Sequence, residues 1–286
     1  MQIDIDNKKR NSTAPYILTL LAVVLVIGLP IYGYIKLKPD TVVDDEKKEE
    51  IIENDTEEIE QEIVPEDIEP TTGETYVEEL AQIEGQWAYI ISPSNINPEN
   101  LPILVIYNHG STTFVEEILD KEFKTDLIKY GEALTVHNYI FAVSNAHGVN
   151  WGNLDSINDN YNMYEYIKEM YGIQEKIYEI GFSMGGLPTL NFATTYPQLV
   201  SKIALLAPTT RSSEWDQARV DKIEDIDIKI WHGNADINVG YIYTQGFVNK
   251  IEGFGKDIDL VTLDGKTHWD VDTEYIDEIV RFFNES

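Results

Sequence analysis

Two spacings of apolar residues divide the chain from about residue 83 onward. Short continuous apolar runs recur at 87–92 (WAYIIS), 101–107 (LPILVIY), 139–144 (YIFAVS), 177–180 (IYEI), 202–207 (KIALLA), 228–231 (IKIW) and 258–263 (IDLVTL). Between them lie stretches with apolar positions every three to four residues, at 115–134, 155–171, 241–251 and 272–284. The first kind reads as strands buried on both faces, the second as amphipathic helices. Gly172 is the expected C-cap of the helix over 155–171. The last helix gathers Tyr275, Ile276, Ile279, Val280 and Phe283 on one face. Strands alternating with helices predict an α/β fold with a mostly parallel central sheet and helices on both faces. Residues 209–225 break the pattern with a polar, irregular stretch.

The first third follows neither spacing. Residues 1–13 form a short polar tail, and no charge occurs from Asn11 to Ile35. The 22 residues of 14–35 would cover the roughly 30 Å hydrocarbon core of a bilayer as a helix. Tyr16, Tyr32 and Tyr34 fall near its ends, where amphipathic rings favour the interface. A cleaved signal peptide and a buried core helix are the alternatives. The run is long for a signal peptide and lacks a clear cleavage site, and a core helix would not lead into a long acidic stretch. The expectation is an uncleaved single-pass anchor in the cell membrane. Residues 36–82 are expected to be a disordered acidic linker, since their scattered isoleucines build no sustained apolar face. The domain itself is expected over 83–286.

Charge sharpens this division. Of the 51 acids and 21 bases, 18 acids and two lysines lie in 39–82, while 83–286 hold 31 acids and 14 bases. Phosphate backbones require a basic footprint, so nucleic acid is excluded as a partner. The short basic N-terminus (Lys8, Lys9, Arg10) favours a cytoplasmic start and an extracytoplasmic domain. The absence of cysteine excludes disulfides, thiolate metal sites and a cysteine nucleophile.

The candidate chemistry begins at Gly181-Phe-Ser-Met-Gly185. The serine of a G-x-S-x-G placed between strand and helix sits on a sharp turn with its Oγ above the sheet. Side chains at Gly181 and Gly185 would collide with that turn. A glycine-rich turn with no chemistry is the plainer reading, and the choice depends on whether a base, an acid and an oxyanion site follow in order. His268, in the loop after the last strand, is the candidate base. Asp236, in HGNAD after the penultimate strand, is the candidate acid, with Asp264 and Asp270 as competitors. Ser183, Asp236 and His268 then follow the Ser…Asp…His chain order that accompanies a nucleophile on such a strand-to-helix turn. The backbone N–H groups of Ser111 and Met184 are the candidate oxyanion donors. His109 and His147 are candidates for the pocket lining; His137 and His232 read as structural. No metal-ligand spacing and no phosphate or dinucleotide loop is present, so no cofactor is implied.

From about Gly85 onward the chain resembles the α/β-hydrolase superfamily. The resemblance rests on NHGS at 108–111, AHGVNWGN at 146–153, GFSMGG at 181–186, YPQLVSKIALLAP at 196–208, HGNAD at 232–236 and the loop holding His268. The loop at 146–153 lacks the arginine of the R-G-H-G form common there, so the resemblance reaches the superfamily and no nearer branch. It implies a Ser183–Asp236–His268 triad with Ser111 and Met184 as oxyanion donors. It also implies that 209–225 stand where many relatives insert a lid, here too short for more than a small cap. The expected function is membrane-anchored hydrolysis of a carboxylic ester, on a small-molecule ester or an acylated surface substrate. A peptidase resembling the prolyl-oligopeptidase branch is the alternative, weakened by the lack of length for a propeller. A non-catalytic surface binding protein is the third reading.

Overall fold

The computed structural model describes residues 75–285. The segment expected to cross a membrane (14–35) and the linker up to residue 74 lie outside the described residues. Among those described, no helix is long and apolar enough to cross a membrane.

Eight strands form one sheet: β1 (Tyr76–Ile83), β2 (Gln86–Pro93), β3 (Ile103–Asn108), β4 (Tyr139–Ser144), β5 (Ile177–Phe182), β6 (Val200–Leu206), β7 (Asp227–Gly233) and β8 (Asp259–Leu263). Their spatial order is β1-β2-β4-β3-β5-β6-β7-β8. The β1–β2 and β2–β4 pairs are antiparallel, and every pair from β4 to β8 is parallel. The parallel strands are the continuous apolar runs because both of their faces are covered. Ile106, Ile177, Ile203 and Ile230 pack into one core, and Tyr107, Ile180, Leu206 and Trp231 into the other.

The covering helices are α1 (Lys121–Thr135), α2 (Leu154–Tyr171), α3 (Gly186–Thr195), the single turn α4 (Gln217–Val220), α5 (Tyr241–Glu252) and α6 (Ile276–Asn284). Capping sets their ends. The Asp120 side chain accepts from the N–H groups of Glu122 and Phe123, so α1 begins six residues later than the apolar period from Val115 predicts. Gly172, at φ 67°, closes α2 as expected. The buried ammonium of Lys202 donates to the carbonyls of Phe282, Phe283 and Glu285, satisfying the last turn of α6.

Strand β1 corrects one expected boundary. The sequence pattern puts residues 76–82 in the acidic linker, but they form the edge strand, and the fold begins before residue 83. The acids that disguise this strand are used by the structure. Glu78 accepts from the Tyr89 hydroxyl and pairs with Lys124 at 2.8 Å on one face. Glu79 accepts from Tyr166 and Tyr171 on the other. Tyr76 and Leu80 pack on one core, and Ile83 on the opposite one. The 209–225 stretch forms two 3-10 turns around α4, and buries Trp215, Val220 and Ile223 in the core beside the sheet.

Candidate active site

Ser183 follows β5 at the carboxyl edge of the sheet, with a backbone φ of 55°. That left-handed conformation is uncommon for a residue with a side chain and marks local strain. The surroundings hold the turn in place. The Thr209 N–H donates to the Ser183 carbonyl at 2.8 Å. A Cβ on Gly181 would lie 2.6 Å from Thr189 Oγ1 and 2.8 Å from the Gly185 carbonyl oxygen; on Gly185 it would lie 1.9 Å from the Asn108 carbonyl oxygen. Both glycines of the motif are therefore required for space. Beneath the turn, the Asn108 amide donates to Thr189 Oγ1 at 2.9 Å and accepts from Asn160 at 2.7 Å, joining β3, α2 and α3. Glu179, fully buried on β5, lies in the same layer, and burial pushes its carboxyl well above the usual carboxylate range against a weak opposing pull from Asn108.

Three residues from three loops form one hydrogen-bonded series. His268 Nε2 lies 2.9 Å from Ser183 Oγ, and His268 Nδ1 lies 2.7 Å from Asp236 Oδ2. All three side chains are buried. A carboxylate can only accept, so His268 Nδ1 carries the proton and Nε2 is free to accept from the serine hydroxyl. The competing acids lie elsewhere. Asp264 accepts from Asn234 at 2.9 Å, and Asp270 accepts from the backbone and hydroxyl of Thr267 at 2.8 Å each.

Asp236 is held from both sides. Its Oδ1 accepts from the N–H groups of Asn238 and Val239 at 2.8 and 2.9 Å. Its Oδ2 takes His268 and, at 3.2 Å, His232 Nε2. The same His232 nitrogen lies 2.9 Å from the Val239 carbonyl oxygen, which can only accept, so Nε2 bears a hydrogen. Burial lowers the His232 pKa, and the Val239 carbonyl and Asp236 oppose it. The ring is neutral near pH 7, with Nδ1 accepting from Thr244 Oγ1 at 2.9 Å. His232 was expected to be structural; its position beside the acid, 3.2 Å from Asp236 Oδ2, was not anticipated. The spacing of four residues in HGNAD was the available signal.

Ser183 and His268 open into a cavity of about 190 Å3, lined also by Gly110, Ser111, Thr112, Trp151, Phe182, Thr209, Asn238, Val239 and Trp269. Ser111 is thus beside the serine, while the Met184 side chain is buried under the turn. His109 and His147 are not among the lining residues. His109 is buried with its ring nitrogens 2.8 and 3.1 Å from the carbonyl oxygens of Gly110 and Asn145, and burial lowers its pKa. His147 Nδ1 lies 2.6 Å from Asp159 on α2. Both histidines are engaged with loop or helix partners outside the serine cavity's lining. Trp151, Phe182, Trp269, Thr209, Asn238 and Val239 are lining residues that the sequence patterns did not single out. A larger groove of about 520 Å3 beside Asn191 and Arg219 shares no lining residue with the serine cavity. Among the described residues, no cluster of three or more histidines and acids is placed to hold a metal ion.

Comparison with known proteins agrees with this architecture. A family model described as the alpha/beta hydrolase fold matches residues 144–225. Homoserine O-acetyltransferase from Corynebacterium glutamicum is 32% identical over 108 residues, covering 37% of this chain and 27% of that protein. The chain therefore matches about a quarter of the length of that curated relative. Among solved structures, Est1E from Butyrivibrio proteoclasticus superposes with a TM-score of 0.53 at 19% identity, over 72% of this chain and 95% of that one. The acylaminoacyl peptidase of Pyrococcus horikoshii gives a TM-score of 0.56 at 11% identity, over 75% of this chain and 42% of that one. The fold of residues 75–285 is the α/β-hydrolase fold.

Proposed function

We propose that this chain is a serine hydrolase whose substrate is a carboxylic ester. The observation that carries the reading is the unbroken series from Ser183 Oγ through His268 to Asp236, at 2.9 and 2.7 Å. In this reading His268 Nε2 takes the Ser183 proton as Oγ attacks the ester carbonyl. Asp236 holds the ring in the required tautomer and stabilises the imidazolium that forms. The oxyanion is received by the N–H groups of Ser111 and Met184, the latter at the start of the turn leading into α3. The protonated His268 then gives its proton to the leaving alcohol. Water, deprotonated in turn by His268, resolves the acyl-enzyme. The strained Ser183 backbone fits this role, since strain of this kind collects where a side chain must be held in position.

The decisive experiment is labelling by a fluorophosphonate probe. Wild-type protein is expected to be labelled and Ser183→Ala is not; an unlabelled wild-type chain would sink the proposal. Cleavage of a peptide end is the second reading, favoured by the likeness in fold to an acylaminoacyl peptidase. Turnover of 4-nitrophenyl acetate compared with an aminoacyl-4-nitroanilide separates the two.

Residues 14–35 are proposed to anchor the domain in the cell membrane, with the domain outside the cytoplasm. The motivation is the uncharged run from Asn11 to Ile35. Because the chain has no native cysteine, one cysteine introduced at the exposed Glu252 reports sidedness. Labelling by an impermeant maleimide in intact cells is expected, and labelling only after lysis would overturn the assignment.

A further inference from the structure

A second cavity adjoins the serine cavity. The second, of about 310 Å3, is lined by Pro208, Thr209, Thr210, Arg211, Ser212, Ser213, Val239 and Tyr243. The two share Thr209 and Val239. Thr209 is also the residue whose N–H donates to the Ser183 carbonyl. The shelf formed by 208–213 is therefore connected to the nucleophile turn by a direct backbone bond.

The charged lining of this surface differs from the acidic balance of the chain as a whole. Residues 83–286 carry 31 acids against 14 bases. Among the described residues, no aspartate or glutamate lines either of the two adjoining cavities, and Arg211 is the only lysine or arginine that does. Charges beyond roughly 8–10 Å are screened at physiological salt, so these lining groups, more than the net charge, determine what the cleft accepts. Arg211 has a backbone φ of 44°, which side-chain-bearing residues rarely adopt. Among the described residues its one ionic contact is with Glu214 at 3.4 Å, and both side chains are 43% exposed. A long, exposed pair of this kind holds a guanidinium weakly and leaves most of its five donors free. The rest of this lining is rich in residues that carry hydroxyls, Thr209, Thr210, Ser212, Ser213 and Tyr243, a group able to donate to the same ligand. The serine cavity itself presents Trp151, Phe182 and Trp269.

We propose that Arg211 and the hydroxyl-lined shelf at 208–213 bind an anionic group, a carboxylate or a phosphate, carried by the ester that Ser183 attacks. This rests on the ester-hydrolase reading. The substrate class it names is an ester with a neutral, aromatic-compatible part near the scissile bond and an anion at a distance from it. Arg suits this role because its planar fork can donate to two oxygens of either anion at once.

The test uses two matched substrate pairs. For an anion on the acyl side these are 4-nitrophenyl hydrogen glutarate and 4-nitrophenyl valerate. For one on the leaving-group side they are 4-acetoxybenzoate and its methyl ester. In Arg211→Gln the anionic-to-neutral ratio of kcat/KM is expected to fall about tenfold in one pair, chiefly through KM, as for loss of a charge-assisted hydrogen bond. Arg211→Lys should recover part of the ratio, and Arg211→Glu should lower it further. A ratio unchanged within about twofold in both pairs, with the neutral esters still turned over, overturns the proposal and leaves the esterase reading standing. If wild type turns over none of the four, the esterase reading fails, and glutarate is titrated against tryptophan fluorescence from Trp151 and Trp269. Saturable quenching that Arg211→Gln abolishes supports an anion site even then, and no saturation overturns it.

Discussion

Asp236→Asn is the substitution whose outcome the geometry constrains most tightly. Oδ1 faces two backbone N–H groups, from Asn238 and Val239. Both need an acceptor, so the asparagine carbonyl must stay on that side, and the amide cannot flip to relieve its other contacts. Its NH2 then replaces Oδ2, facing His268 Nδ1, formerly 2.7 Å from the carboxylate. Nδ1 must now accept, which moves the ring proton to Nε2 and points an N–H at Ser183. A histidine in that tautomer cannot take the serine proton. The expected loss in kcat is roughly ten-thousand-fold, about 5.5 kcal/mol of transition-state stabilisation. The NH2 also faces the Nε2–H of His232, donor against donor, where 3.2 Å separated it from the carboxylate. This removes a charge-assisted contact and costs about 1.5–3 kcal/mol of stability, a fall in Tm of roughly 3–12 °C for a domain of this size. Ester turnover, fluorophosphonate labelling and a melting scan on one preparation separate the two effects. A folded Asp236→Asn protein within tenfold of wild-type kcat/KM would refute the reasoning. So would a comparable loss in Asp264→Asn or Asp270→Asn, whose carboxylates bond only Asn234 and Thr267 among side chains.

Two further outcomes follow from packing and burial. In Gly185→Ala the new Cβ would sit 1.9 Å from the Asn108 carbonyl oxygen, so β3's end, with His109 to Ser111, must move by about 1 Å. A displacement of that size next to the reacting groups is expected to lower kcat about a hundredfold, while overpacking lowers stability by about 1–3 kcal/mol, both measurable against wild type by turnover and melting. The second concerns Asp272, whose carboxyl accepts from Tyr107 at 3.0 Å and Tyr130 at 3.2 Å. Part of the residue reaches solvent, but burial of the carboxyl pushes its pKa up to about 6, opposed by the two tyrosine hydroxyls. The folded state holds this proton more tightly than the unfolded chain, so the contribution is fully present below the unfolded pKa near 3.8 and is lost as pH rises through about 6. The expected decline is at most about 3 kcal/mol. Asp272→Asn should flatten the wild-type stability profile across that window in denaturant titrations, and an unchanged slope would remove the carboxyl from the account.

The parallel half of the sheet was legible because its strands are buried on both faces and therefore apolar throughout, and the run at 139–144 matches β4 residue for residue. The turn at Ser183 was legible for a related reason. Close approach to the Asn108 carbonyl admits only glycine at 185, and a steric requirement of that kind leaves a motif. Asp236 and His268 could be found through chain order, since each follows a strand at the same sheet edge. Strand β1 was not legible. An edge strand needs little apolar content, and Glu78 and Glu79 satisfy tyrosine hydroxyls from other elements that local sequence cannot reveal. The contact of His232 with Asp236 escaped because a turn must bring residues four apart together, and the same spacing is usually incidental. The cavity walls were hidden for a simpler reason: Trp151, Thr209, Asn238 and Trp269 come from four separate loops.

The edge strand bears on how the domain can be handled. Tyr76 pairs with Pro93, whereas the other end of β2, at Ala88, pairs with Ser144 at the carboxyl edge. The chain thus joins the sheet at the rim opposite the serine. A bead, a chip surface or a fused carrier attached ahead of residue 75 would meet the domain from behind, with the cleft facing bulk solvent. Attachment from that side leaves the serine cavity on the face away from the carrier.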